Sequence, residues 1–60
     1  MTITFKFGEP GRAATFAKWL GRQTQRTAIE RTNAIVTCHF ENADWAAAAA
    51  REAFEINRLG

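Results

Sequence analysis

Ala43 to Leu59 reads ADWAAAAAREAFEINRL, a stretch of strong helix formers with large apolar residues on two opposite sides. At about 100° per residue, the step from Trp45 to Phe54 comes to roughly 180°, so the two aromatics point in opposite directions. One side collects Ala43, Ala46, Ala47, Ala50, Ala53 and Phe54; the other collects Trp45, Ala49, Ile56 and, further round, Leu59. Small residues let a helix approach a sheet closely, so the alanine and Phe54 side is predicted to face the core. Trp45, Ala49, Ile56 and Leu59 are then predicted to meet a partner, in keeping with the frequency of tryptophan at binding hot spots. The opposing reading wraps Trp45, Ile56 and Leu59 around the rim of the same core.

Working outward, Asn42 is a good N-cap for this helix, and Asp44 in its first turn complements the positive end of the helix dipole. Before it, Arg26 to Thr32 and Ala34 to Phe40 are rich in threonine and β-branched residues, with Thr32-Asn33 offering the turn of a hairpin. That turn would set Ile29 opposite Val36 and Thr27 opposite Cys38, with Phe40 continuing the inner face. The outer face would carry Arg26, Ala28, Glu30, Ile35, Thr37 and His39, joined by Thr2, Thr4 and Lys6. The last three come from Thr2 to Phe7, where strict alternation places Ile3, Phe5 and Phe7 on one side of a half-buried strand. Pro10 then suits the first turn of a helix, whose Ala13, Phe16, Ala17 and Leu20 form one apolar stripe. Trp19 sits on the flank of that stripe; its size favours burial at the core edge, and its position sets it beside the partner surface.

The element order is strand, helix, strand, strand, helix, an α+β domain spanning residues 1–60 with no linker or internal repeat. A three-stranded sheet in the order 2-3-1 with both helices on one face is the predicted architecture. Through Ile3-Thr4-Phe5-Lys6-Phe7, Phe16-Ala17-Lys18-Trp19-Leu20 and Ile35-Val36-Thr37-Cys38-His39-Phe40, the chain resembles the ferredoxin-like fold with its last strand missing. The resemblance implies that the first strand is an open edge able to accept a partner strand.

A 60-residue chain buries only about 60% of the surface its unfolded form exposes. A single cysteine cannot form an internal disulfide, so association is the expected source of extra stability. Cys38 within an apolar run fits a reduced, cytoplasmic setting. The start Met1-Thr2-Ile3-Thr4 has no signal-peptide pattern, and no apolar run approaches the roughly 18 residues that span a membrane. The net charge is +2, unevenly distributed: residues 1–31 hold six basic groups against two acidic ones, and residues 32–60 hold two against four.

Catalytic readings fail on spacing. Cys38 and His39 are strand neighbours whose side chains point to opposite faces, so they can neither share a metal nor form a nucleophile–base pair. Zinc wants about four nitrogen or sulfur ligands, and the chain has one cysteine and one histidine. Serine is absent and Gly8-Glu9-Pro10-Gly11 is a turn, not a phosphate loop. Glu30 and His39 could meet on the outer face as a surface pair. No metal, cofactor or enzymatic activity is therefore expected.

Two function classes remain. The first is a non-catalytic protein-binding module using Trp45, Ala49, Ile56, Leu59 and Trp19. Its compact single domain resembles the small phage-encoded inhibitors of the anti-CRISPR type, several of which look like truncated ferredoxin-like folds. That resemblance implies a host defence nucleoprotein complex as target, blocked in the host cytoplasm by occupation of a surface. The alternative is a small homodimeric DNA- or RNA-binding protein in which Arg12, Lys18, Arg22 and Arg26 neutralise phosphates. A homodimer through the second helix or the first-strand edge is a further partner arrangement, and no membrane partner is expected.

Overall fold

The computed structural model describes residues 1–23 and 28–59 and follows the predicted element order: β1 (Thr2–Lys6), α1 (Pro10–Gly21), β2 (Ile29–Thr32), β3 (Ile35–His39) and α2 (Ala43–Leu59). The three strands form one antiparallel sheet in the order β1-β3-β2, so β1 and β2 are its two edges. Alternation in β1 works as the sequence requires: Ile3 and Phe5 turn toward the helices, Thr2, Thr4 and Lys6 away from them. Opposite them on β3, Val36 and Cys38 are buried while Ile35 and His39 are exposed.

The hairpin forms, but its loop is Asn33-Ala34 and not Thr32-Asn33. Thr32 pairs with Ile35, and Ile29 faces Cys38 instead of Val36. Asn33 takes φ 56°, the left-handed conformation that asparagine tolerates better than most residues, and occupies the first loop position. The pairing slides by a whole two-residue period, so each residue keeps the face predicted for it. The Thr27 pairing falls outside the described residues.

α1 starts where Pro10 supplies a fixed φ and no N–H, with the carbonyl of extended Glu9 accepting from the amides of Arg12 and Ala13. Its stripe Ala13, Phe16 and Leu20 is fully buried. α2 is capped as expected: the Asn42 side-chain oxygen accepts from the Trp45 amide at 2.6 Å, and its carbonyl from the Ala46 amide at 3.2 Å.

One expectation is overturned. α2 buries Trp45, Ala46, Ala49 and Ala53, and Phe54 is 65% exposed. Of the alanine and Phe54 side predicted for the core, Ala46 and Ala53 are buried but Ala43, Ala47, Ala50 and Phe54 form the outer flank, and Trp45 and Ala49, predicted to meet a partner, are core residues. Alanines occur on every side of this helix, so close packing is available in either orientation and does not choose between them. The aromatics choose. Trp45 stacks on Trp19 at 5.6 Å and meets the edge of Phe40 at 5.9 Å. Phe16 lies 6.1 Å from Trp19 and 4.9 Å from Phe5, and Phe5 lies 6.3 Å from Phe40. These five rings close a circuit through β1, α1, α2 and the end of β3.

Truncating Trp45 opens that circuit. Trp45→Ala is expected to cost about 3–5 kcal/mol, most of the roughly 3–9 kcal/mol available to a domain of this size. Urea unfolding followed by far-UV circular dichroism should therefore find the variant largely unfolded without denaturant, whereas Phe54→Ala should unfold at nearly the wild-type midpoint when both are measured at high dilution.

Candidate interaction surface

The residues predicted to bind a partner divide into three groups. Trp45 and Ala49 are buried, at 8% and 0% exposure. Trp19 and Ile56 are partly buried and pack against the core, which places them on its rim. The Leu59 side chain lies outside the described residues. Trp19, Trp45, Ala49 and Ile56 form no exposed apolar face; they are the seam between the two helices and the sheet.

Exposed apolar surface occurs on the other flank of α2. Ala43, Ala47, Ala50 and Phe54 recur at helical spacing and all are exposed. Phe54 lies about 140° round the helix from fully buried Ala49. Asn57, one turn beyond Phe54 on the same stripe, fixes where this flank lies: its Nδ2 donates to the Lys6 carbonyl at 3.2 Å. Its own carbonyl accepts from the Arg12 guanidinium at 3.3 Å. At the other end of α2, Trp45 packs on Phe40, whose amide and carbonyl bond to Met1. α2 thus runs alongside β1 in the same direction, with Trp45 turned toward α1 and the Phe54 stripe turned away from it, over the open side of β1.

The ladder shows which backbone groups that open side carries. Phe40 donates to the Met1 carbonyl, the Met1 ammonium donates to the Phe40 carbonyl, and Phe7 donates to the Ala34 carbonyl. In an antiparallel pair such bonds recur every second residue, so Met1, Ile3, Phe5 and Phe7 direct their amides and carbonyls at β3. Thr2, Thr4 and Lys6 direct theirs outward. The first-strand edge is open, as the fold resemblance implies. The open edge and the Phe54 stripe form one continuous side of the molecule.

The basic set is dispersed. Arg12 is half-buried, donates to Asn57 and stands 4.0 Å from Glu9, which makes it a tether between α1 and α2. Lys18 in the last turn of α1 and Arg22 at its C-cap are both exposed, and Arg26 lies outside the described residues. On the outer sheet face, His39 Nδ1 meets Thr2 Oγ1 at 3.2 Å, and Glu30 stands opposite Thr37, so the Glu30–His39 pair does not form. Thr2, Thr37, His39, Glu30 and Ala28 line a shallow depression of about 320 Å³ there. Among the described residues, no group of three or more histidine, cysteine or acidic side chains is placed to hold a metal, and no helix is long and apolar enough to cross a membrane.

Comparison of the chain with protein-family models, with curated proteins and with solved structures gives no match.

Phe54 is the residue that the sequence reading missed. The signal that could have found it is the second tryptophan: Trp19 on the flank of α1 offers Trp45 a stacking partner, and among the described residues no ring stacks on Phe54.

Cys38 is buried under this architecture, and burial pushes its thiol pKa from 9.0 up to about 11. Between those values the unfolded chain loses the thiol proton while the folded chain keeps it, so the contribution of Cys38 to stability is whole below pH 9 and is lost as pH rises toward 11. The melting temperature should fall more steeply over that window in the wild type than in Cys38→Ala. At pH 8 the native thiol should react with a disulfide reagent only as fast as the protein unfolds.

Proposed function

We propose that this chain is a non-catalytic protein-binding module, and that the side formed by the β1 edge and the Phe54 stripe of α2 is its contact surface. The observation that carries this reading is the exposure of Phe54. A 60-residue domain that packs five aromatic rings into a closed circuit leaves a phenylalanine 65% exposed, in register with three exposed alanines and beside the outward-facing backbone of β1. An exposed aromatic side chain supplies large apolar contact area with few rotatable bonds, and phenylalanine is enriched at the buried centre of interfaces.

Occupying a surface requires no reactive group, which suits a domain of this size. The resemblance to small phage-encoded inhibitors of the anti-CRISPR type gives the reading its sharper form: a mobile-element protein that blocks a host defence nucleoprotein complex in the host cytoplasm.

Phe54→Glu tests the contact surface. Because the side chain is already in water, its replacement should shift folding stability by no more than about 0.5 kcal/mol. Loss of a hot spot should weaken partner binding by about 2 kcal/mol, roughly thirtyfold. A photo-cross-linking phenylalanine analogue at position 54 should form protein adducts in cells; an analogue that cross-links only within the chain or to solvent would contradict the reading.

A further inference from the structure

We propose that the contact surface around Phe54 is a two-fold interface between two copies of this chain; the proposal rests on the reading of this side as a protein contact and makes its occupant a second copy, which leaves any host complex to another face of the dimer.

The first argument is the strand edge. Thr2, Thr4 and Lys6 offer amides and carbonyls outward, at every second residue and centred on Thr4. Two such edges brought together antiparallel about Thr4 pair Thr4 with its copy and Thr2 with Lys6 of the other chain. That register uses every outward amide and carbonyl of the strand, six hydrogen bonds in all if each is made, and any other two-fold register uses fewer. The Lys6 carbonyl already accepts from Asn57 and retains a second lone pair. Between these pairs, Ile3 meets Phe5 of the other copy on the helix side of the sheet. Both are only partly buried in the single chain, and both sit at the non-hydrogen-bonded positions of the new ladder, where side chains approach most closely.

The second argument is that α2 has the same centre. The stripe Ala43, Ala47, Ala50, Phe54 and Asn57 is symmetric about Ala50, and α2 runs along β1 from the Met1 end to the Lys6 end. A two-fold axis through Thr4 therefore passes close to Ala50. It sets the two α2 helices antiparallel, with Phe54 of one over Ala47 and Ala50 of the other. A large residue then faces small ones, which suits helix axes about 8–10 Å apart above strands about 4.8 Å apart.

The third argument is charge. Antiparallel α2 helices bring Asp44, in the first turn of one, beside Arg58, in the last turn of the other, at both ends of the interface. Arg58 already holds Glu55 at 2.7 Å, so its guanidinium would bridge an acid from each copy. The opposed helix dipoles add to the same preference. Asp44, Arg51 and Arg58 all lie on the solvent-side shoulder of the stripe, so Arg51 also meets its copy near the axis, where Glu55 one turn on moderates the repulsion. Lys6 faces Thr2 and not its own copy.

The whole molecule extends 28 × 20 × 19 Å, so a contact spread over one of its sides is on the order of 500 Å² per copy, near the lower bound of about 1,000 Å² in total for a specific interface. A reversible dimer follows. It would join two sheets into one of six strands and leave the outer face with its Thr2–His39 contact open on both halves.

Sedimentation equilibrium on the full chain tests this. The wild type is expected to move from the 6.7 kDa chain mass toward twice that value as concentration rises. Thr4→Pro removes an amide that faces away from β3, and Ala50→Glu puts a charge on the helix axis of symmetry. Each should raise the dissociation constant at least thirtyfold with an unchanged circular dichroism spectrum. Wild-type hydrogen exchange gives a check that depends on no variant: the Thr4 and Lys6 amides should be protected at dimer-forming concentration and exchange freely on dilution. A wild type that stays monomeric at millimolar concentration overturns the proposal, as does a dimer insensitive to either folded variant, or one whose Thr4 and Lys6 amides exchange freely. If the monomer still forms cross-links from position 54 to another protein, only the second copy is excluded and the protein-binding reading stands; if it forms none, both fail.

Discussion

The closed circuit of five aromatic rings, from Phe5 through Phe16, Trp19 and Trp45 to Phe40 and back, is the constraint on which the rest of the structure depends. Three of its links join residues far apart in sequence, and together they fix two helices against a sheet that is only three strands wide. A domain of this length has a thin margin, so the elements must be held by contacts that are large individually. The Trp19–Trp45 stack also sets the roll of α2 about its own axis. Once Trp45 turns toward α1, the opposite aromatic must turn away, and the exposure of Phe54 follows from a packing choice made on the far side of the helix.

Much of this was legible in the sequence because each signal had one physical reading. Alternation from Thr2 to Phe7 can only be a half-buried strand, Pro10 and Asn42 mark helix starts by chemistry that few residues share, and the Ala13–Leu20 stripe has one apolar side. That β1 is an open edge is what the resemblance to a ferredoxin-like fold without its last strand implies, and the order β1-β3-β2 has it. The hairpin loop was misplaced by one residue because both Thr32-Asn33 and Asn33-Ala34 put asparagine inside a two-residue turn. The sheet faces survived because they depend on parity alone.

The candidate site was harder to read, for a reason peculiar to α2. Periodicity identifies a buried face by contrast between large apolar and polar positions, and alanine at seven of the 17 positions of α2, distributed around the helix, weakens that contrast. Trp45 and Phe54 then offer two mutually exclusive orientations with similar small-residue support. The choice rests on which aromatic finds partners in α1 and β3, a tertiary fact that no helical wheel contains. Trp45 and Ala49 were read as contact residues on this account, and Phe54 as core. Ala46 and Ala53 face the core beside Trp45 and Ala49, while the apolar residues left on the uncovered side of α2 are Ala43, Ala47, Ala50 and Phe54.

That side unites the exposed stripe of α2 with the outward backbone of β1, and the functional reading rests on its existence. The most direct measurement of the roll that creates it is the pattern of nuclear Overhauser contacts among the aromatic rings. Strong contacts between the Trp19 and Trp45 indoles and between Trp45 and Phe40, with none from the Phe54 ring to Phe16, Trp19 or Phe40, are expected. Contacts from Phe54 to those three rings, with Trp45 showing none, would put the helix in the opposite orientation and contradict the account.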